Sequence, residues 1–373
     1  MEDFMELLQK LMQYGGSQLI IGLFILPPLY IVDLRLRKKI SSSKYALRRD
    51  YKNKKIKTVN LPPEVIESAV SIDEKEILKK QYGEYILEFN KILTSTFPEE
   101  YLRNYFRNIN TVKVQNFNYV RDKIICNTTK IDGQYRGIEN SILLKKDLKD
   151  LRKTIFHELL HMASSFYDSK NKIGYSGFHQ TDRKRRQSIG AGLNEGYTEY
   201  IRIKRFYDND ITNVSYIYET KIARKIDRLI GSTKMEELYF KADLHGLIEA
   251  LKEYASVEEI HDFIIKLDLY NTYPSNKGTI KDKINIMNDI DSFLFKAFFR
   301  KNMKELDKPA EFNDINRIIE KVEREMLHYG LTDDKDYIRD INYDLMSLSI
   351  NTCLKEMGYT QWLMEKVPEE KQR

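Results

Sequence analysis

The sequence predicts an α+β fold that is predominantly helical, with one small antiparallel sheet and one apolar N-terminal helix. Three observations carry this. From Lys145 onward apolar residues recur almost throughout at helical spacing. Between Thr111 and Leu144, short β-branched and aromatic stretches alternate with turn residues. Leu19–Val32 (LIIGLFILPPLYIV) holds no charge.

A chain of 373 residues is long enough for two domains, or for one large domain with additions. Hydrophobic residues at 42% and charged residues at 32% exclude full disorder and a polytopic membrane protein. Two cysteines exclude a disulfide scaffold. The net charge of +6, from 62 basic against 56 acidic residues, gives no reason to expect nucleic acid as a partner.

With Tyr14–Gln18 added, the uncharged N-terminal stretch approaches the roughly 20 residues that span a bilayer. Acidic Glu2, Asp3 and Glu6 precede it. Arg35, Arg37, Lys38 and Lys39 follow it. Basic residues mark the cytoplasmic side, and the acidic start is unlike a secretory signal. Residues 1–34 therefore read as a single-pass membrane anchor, with the rest of the chain in the cytoplasm. Residues 35–75 read as a basic juxtamembrane linker.

Pro62-Pro63 opens a helix expected from Glu64. Ile72–Leu93 has the spacing of one helix. Thr111–Val120, Lys123–Thr129 and Gly137–Leu144 read as the strands. The mixed part ends near residue 230, giving one domain over 76–230 and a helical C-terminal subdomain over 231–373. Helix starts are visible at Ser232-Thr233 and at Ser256, where Glu259 completes a capping box. Asn271–Gly278 reads as a loop.

The chemistry lies in DLKDLRKTIFHELLHMAS. His157-Glu158-Leu159-Leu160-His161 fits His-Glu-x-x-His, and the apolar residues around it recur at helical spacing. His157 and His161 then share one helix face, one turn apart. Two imidazoles so placed can hold one Zn²⁺, leaving Glu158 to act on a water at the metal. A catalytic zinc needs a third protein ligand and an open position. Glu195, in IGAGLNEGYTEY, is 34 positions after His161 on an expected second helix, with Glu199 one turn further. Glu195 can reach the metal while Glu199 orients a ligand histidine through its free ring N–H.

At these residues the chain resembles the gluzincin zinc metallopeptidases. Leu193-Asn194-Glu195-Gly196-Tyr197 is similar to the Leu-Asn-Glu-Gly-Phe element of the zinc aminopeptidases in that group. The resemblance covers His157–Tyr200 and implies a zincin-like catalytic domain. It implies His157, His161 and Glu195 as the ligands of one zinc ion per chain. It implies Glu158 as general base and Glu199 as the carboxylate behind a ligand histidine. The interval before Glu195 is longer than is usual in the family, and Tyr167–Gln187 is expected to absorb the excess as a loop over the site.

Gly137-Ile138-Glu139-Asn140 resembles the strand whose glutamate grips the substrate's α-amine in those aminopeptidases, which makes Glu139 a candidate. The resemblance also implies that Asn140–Leu144 holds substrate by strand addition. Candidates to stabilise the oxyanion are Tyr175, His179, Tyr216 and Tyr218. His245, His261 and His328 read as structural or surface residues, and Cys126 and Cys353 as small buried ones. Arg183-Lys184-Arg185-Arg186 reads as a solvated loop.

The expected function is zinc-dependent hydrolysis of peptide bonds in a peptide or protein substrate, beside a membrane. Two rivals stay open. One is a non-catalytic membrane-tethered scaffold with a structural zinc site. The other is a binding module whose helical C-terminal part recruits partners.

Overall fold

A computed structural model describes residues 72–117, 132–185, 187–207, 214–272, 280–306, 309–327 and 341–362. The expected anchor, nearly all of the basic linker, the helix from Glu64 and the strand Lys123–Thr129 lie outside the described residues. So do Cys126, Arg186, His328 and most of the loop Asn271–Gly278. Among the described residues no helix is long and apolar enough to cross a membrane.

The fold is mostly helical with two small sheets, an α+β arrangement. The expected helix over Ile72–Leu93 is two helices, α1 (Glu74–Leu78) and α2 (Gly83–Thr96). Tyr82 turns the chain between them at φ 64°. The Lys80 ammonium donates to the carbonyls of Asn110 and Val112 at 2.6 and 3.1 Å, satisfying chain ends in the loop after α3 (Arg103–Ile109).

The first sheet is mixed, not antiparallel throughout. Its order is β1 (Lys113–Asn116), β3 (Ser141–Leu144), β2 (Gly133–Arg136). β1 runs parallel to β3 and β2 antiparallel to it. Ser141-Ile142-Leu143-Leu144 is buried at every position, as a central strand should be. That corrects the expected site of strand addition. Both edges of β3 are already paired, and the edge strand on the side away from β1 is β2. Gly137–Asn140, expected as strand, is the turn between β2 and β3.

Helix α4 (Leu151–Ala163) follows and carries the His-Glu-x-x-His residues. The Asp150 side chain caps it, accepting the Lys153 N–H at 2.9 Å. Phe156 anchors α4 to its neighbours. It meets Phe89 of α2 edge-on at 5.5 Å between centroids, and Phe89 stacks on Phe206 at 5.0 Å. Such ring pairs add about 0.5–1.5 kcal/mol each beyond the area they bury.

The segment expected as a loop over the site is a four-stranded antiparallel sheet. β4 (Ser165–Asp168), β5 (Ile173–Ser176), β6 (His179–Asp182) and β7 (Gln187–Ile189) pair in sequence order. It delivers the chain to α5 (Ala191–Phe206) through Gly190 at φ 85°, where a Cβ would overlap the Phe178 carbonyl oxygen. Only glycine fits there.

Helices α6 (Ile217–Ile230), α7 (Ser232–Phe240), α8 (Leu244–Leu251) and α9 (Val257–Asn271) complete the surroundings of α5. The capping box at Ser256 and Glu259 forms as the sequence indicates. Asp268 of α9 accepts the N–H groups of Gly190 and Gly192 at 2.7 and 2.8 Å, tying α9 to the start of α5. Helices α10 (Ile280–Lys304), α11 (Phe312–Leu327) and α12 (Tyr343–Glu356) form the C-terminal part.

Candidate metal centre

The 3.6-residue period of α4 places His157 and His161 one turn apart on a buried face, with ring centroids 4.8 Å apart. Glu195 reaches them from the second turn of α5. His157 Nε2 is 3.1 Å from His161 Nε2 and 3.3 Å from Glu195 Oε2, and His161 Nε2 is 3.4 Å from the same oxygen. Ligand atoms held tetrahedrally about 2.0–2.1 Å from one ion stand roughly 3.3–3.4 Å apart. The group can hold a metal ion.

The protonation pattern points the same way. The Nδ1 of His157 lies 3.1 Å from Glu199 Oε2 and donates its proton there, which turns Nε2, the nitrogen a metal would use, toward Glu195. Two imidazole nitrogens and a carboxylate oxygen facing one another at this range attract a cation, a proton or a metal ion. Burial disfavours charge on His157, but hydrogen bonds to Glu195 and Glu199 outweigh it and push the imidazole up to about 10. Burial also opposes charge on Glu195, yet His161 and His157 hold its carboxyl well below the usual range.

Glu199 is fully buried and does not stand alone. Arg202 donates twice to it, each at 2.8 Å, and the Ser215 N–H donates at 2.7 Å. Burial works against its charge, and Arg202 and His157 keep it ionised. Behind His161, the Asn194 amide contacts Nδ1 at 3.3 Å while its oxygen accepts the Phe178 N–H at 3.1 Å. Asn194 thus links the second sheet to a candidate ligand histidine, His161. Arg202 was missed in the sequence, although it sits one turn after Glu199 on the same face. Asn194 stood inside the motif without a role.

Glu158 is 6% exposed and lies against β2, where a Cβ on Gly133 would stand 2.9 Å from its side chain. Burial raises its carboxyl, partly offset by His157, His161 and the Tyr135 backbone N–H.

No protein-family model, curated protein or solved structure matches the chain. The likeness to gluzincins rests on the residues His157–Tyr200.

The other candidates separate. Tyr216 stacks on His157, centroids 5.9 Å apart and planes 22° from parallel. The charge of Glu195 and burial raise its hydroxyl above the ordinary value. Its backbone is held at φ 52°, beside the Ser215 N–H that Glu199 binds. His179 is within the electrostatic reach of Glu195 and His161. Burial pushes it down to about 4, and it contacts Ser188 Oγ at 2.6 Å. Tyr175 points elsewhere, into a cluster with Ile173, Ala242 and Phe166. Tyr218 packs on Tyr270 at 4.3 Å. Glu139 is exposed in the β2–β3 turn, at the other end of β2 from Gly133.

Proposed function

We propose that the protein is a gluzincin-like zinc metallopeptidase. The observation that carries this reading is the near-tetrahedral spacing of His157, His161 and Glu195, with an acid, Glu158, that is not part of the ligand set. When bound, zinc supplies Lewis acidity that acidifies a water and polarises the scissile carbonyl.

Glu158 takes the proton of the attacking water and passes it to the leaving amine. The upward push of burial on its carboxyl suits a group that must accept and then give up a proton. Glu199, braced by Arg202, fixes the orientation of His157. Tyr216 donates its hydroxyl proton to the oxyanion that forms at the carbonyl carbon. Strand β2, an edge of the first sheet among the described residues, accepts the extended substrate through backbone hydrogen bonds, beside Glu158. The apolar run Leu19–Val32 tethers this activity to a membrane, with the catalytic part in the cytoplasm.

The test is the metal content of the full-length protein in mild detergent, beside Glu195→Ala. About one zinc per chain, lost in the variant, is expected. A randomised peptide library then reads hydrolysis. Zinc that survives Glu195→Ala, or a zinc-loaded protein that cleaves nothing, would return the scaffold reading to the front.

A further inference from the structure

Among the described residues, a buried carboxylate beside the candidate metal centre has no ion-pair partner. Glu219 is 6% exposed and lies on α6, one turn after Tyr216. Helices α5 and α6 touch at Gly196, where a Cβ would overlap the Glu219 carbonyl oxygen and stand 2.9 Å from the Glu219 Cβ. Glu219 is thereby held against the turn of α5 that carries Glu195. Glu219 feels the charge of Glu195, and Tyr216 feels that of Glu219.

Glu219 forms no ion pair among the described residues. Its carboxylate accepts a hydrogen bond from its own backbone N–H. Among the described residues no side chain hydrogen-bonds or ion-pairs with it. The cation whose field reaches it, Lys283, sits 4.3 Å over the Tyr270 ring. The other acids of the site have cationic or hydrogen-bonding neighbours: Glu199 pairs with Arg202, Glu195 with His157 and His161, and Glu158 lies in the field of the same two histidines. A buried acid with no partner costs stability unless something binds it. In a substrate cleft, that something is a positive group on the substrate.

We propose that Glu219 forms the acidic wall of a substrate subsite and takes a cationic group of the peptide next to the scissile bond. This rests on the peptidase reading. The cation has two sources, a free α-amine or a Lys or Arg side chain. The first makes the enzyme an exopeptidase, and the second an endopeptidase selective for basic residues.

The test reads binding apart from turnover. A randomised hexapeptide library, made with free and with acetylated N-termini, is equilibrated with immobilised, zinc-loaded full-length Glu158→Gln protein. Retained peptides are read by mass spectrometry. The same is done with Glu158→Gln/Glu219→Gln and with Glu158→Gln/Glu219→Asp, with zinc content and melting temperature measured for each. Cationic peptides should be enriched roughly 10- to 100-fold by Glu158→Gln, as for a hydrogen bond between charged groups. The enrichment should vanish with Glu219→Gln at unchanged zinc content and be kept in part with Glu219→Asp. Loss on acetylation identifies the α-amine, and persistence identifies the basic side chain. No retention, no preference for cations, or a preference that survives Glu219→Gln overturns the proposal. If wild-type protein hydrolyses nothing while the Glu219-dependent preference holds, the peptidase reading falls and the subsite stands as a binding site for cationic peptides.

Discussion

Glu199 Oε2 sits 3.1 Å from the Nδ1 of His157, on the side of the imidazole away from Glu195. The ring is thus clamped between two carboxylates, one facing the metal position and one behind it. Arg202 completes the clamp from the far side of Glu199.

Glu199→Gln should weaken zinc binding by about 10- to 100-fold, the usual effect of losing such a supporting group, and it also leaves the buried Arg202 without its charge partner. Arg202→Met makes the converse break and keeps the carboxylate on His157. It strands a fully buried carboxylate, and breaking a buried pair costs about 3–5 kcal/mol. Competition with a zinc chelator measures the first effect and thermal denaturation the second. Equal zinc affinity in Glu199→Gln and wild type would show that the clamp does not tune the metal.

Glu158→Gln should bind zinc as wild type does and lose about 10²- to 10⁴-fold in turnover, because the base is not a ligand. Metal content and library cleavage on the same preparation decide this. Full turnover in the variant would remove Glu158 from the mechanism.

Tyr216→Phe keeps the ring that stacks on His157 and removes only the hydroxyl. Turnover should fall about 10²- to 10³-fold with zinc content unchanged, if the hydroxyl meets the oxyanion. Tyr218→Phe, away from the centre, should leave turnover within a few-fold, and a reversed order of effects would reassign the electrophile.

Asp268 gives a pH signature. Burial raises its carboxyl from 3.8 to about 7, against the backbone N–H groups of Gly192, Gly190 and Ala191. The folded value lies above the unfolded one, so the native state holds the proton more tightly. The stability this group contributes is complete below about pH 4 and is lost as the pH rises through about 7. The melting temperature of wild type should therefore fall relative to that of Asp268→Asn between pH 5 and pH 8. A constant difference across that range would contradict the raised value.

The centre was legible because its spacing is local. His157 and His161 lie one turn apart on α4, and Glu195 and Glu199 one turn apart on α5, so the helix period alone gathers each pair. What joins the pairs is tertiary and left less trace. Tyr216 reaches His157 because α5 and α6 cross at Gly196, which no periodicity reveals. Tyr175 was offered equally by the sequence, but strand pairing opposite Gln180 sends it into an apolar cluster. The second sheet was read as a loop because its strands are three or four residues long, and its last two are polar. The burial of every residue in β3 was visible in its unbroken apolar run, yet its place at the centre of a mixed sheet was not.

The tie from Asp268 to Gly190 and Gly192 has a consequence for how the candidate site can be inherited or transplanted. The candidate site residues of the motif end at Glu199, but the helix that presents two of the four acidic and basic contacts begins on N–H groups held by a carboxylate almost seventy positions after Glu199. A fragment cut after α6 would carry the whole motif and lose the peg that seats its second half. Shuffling of modules in evolution, or grafting of the motif onto a new scaffold, must therefore carry α9 along with the two helices that bear the ligands.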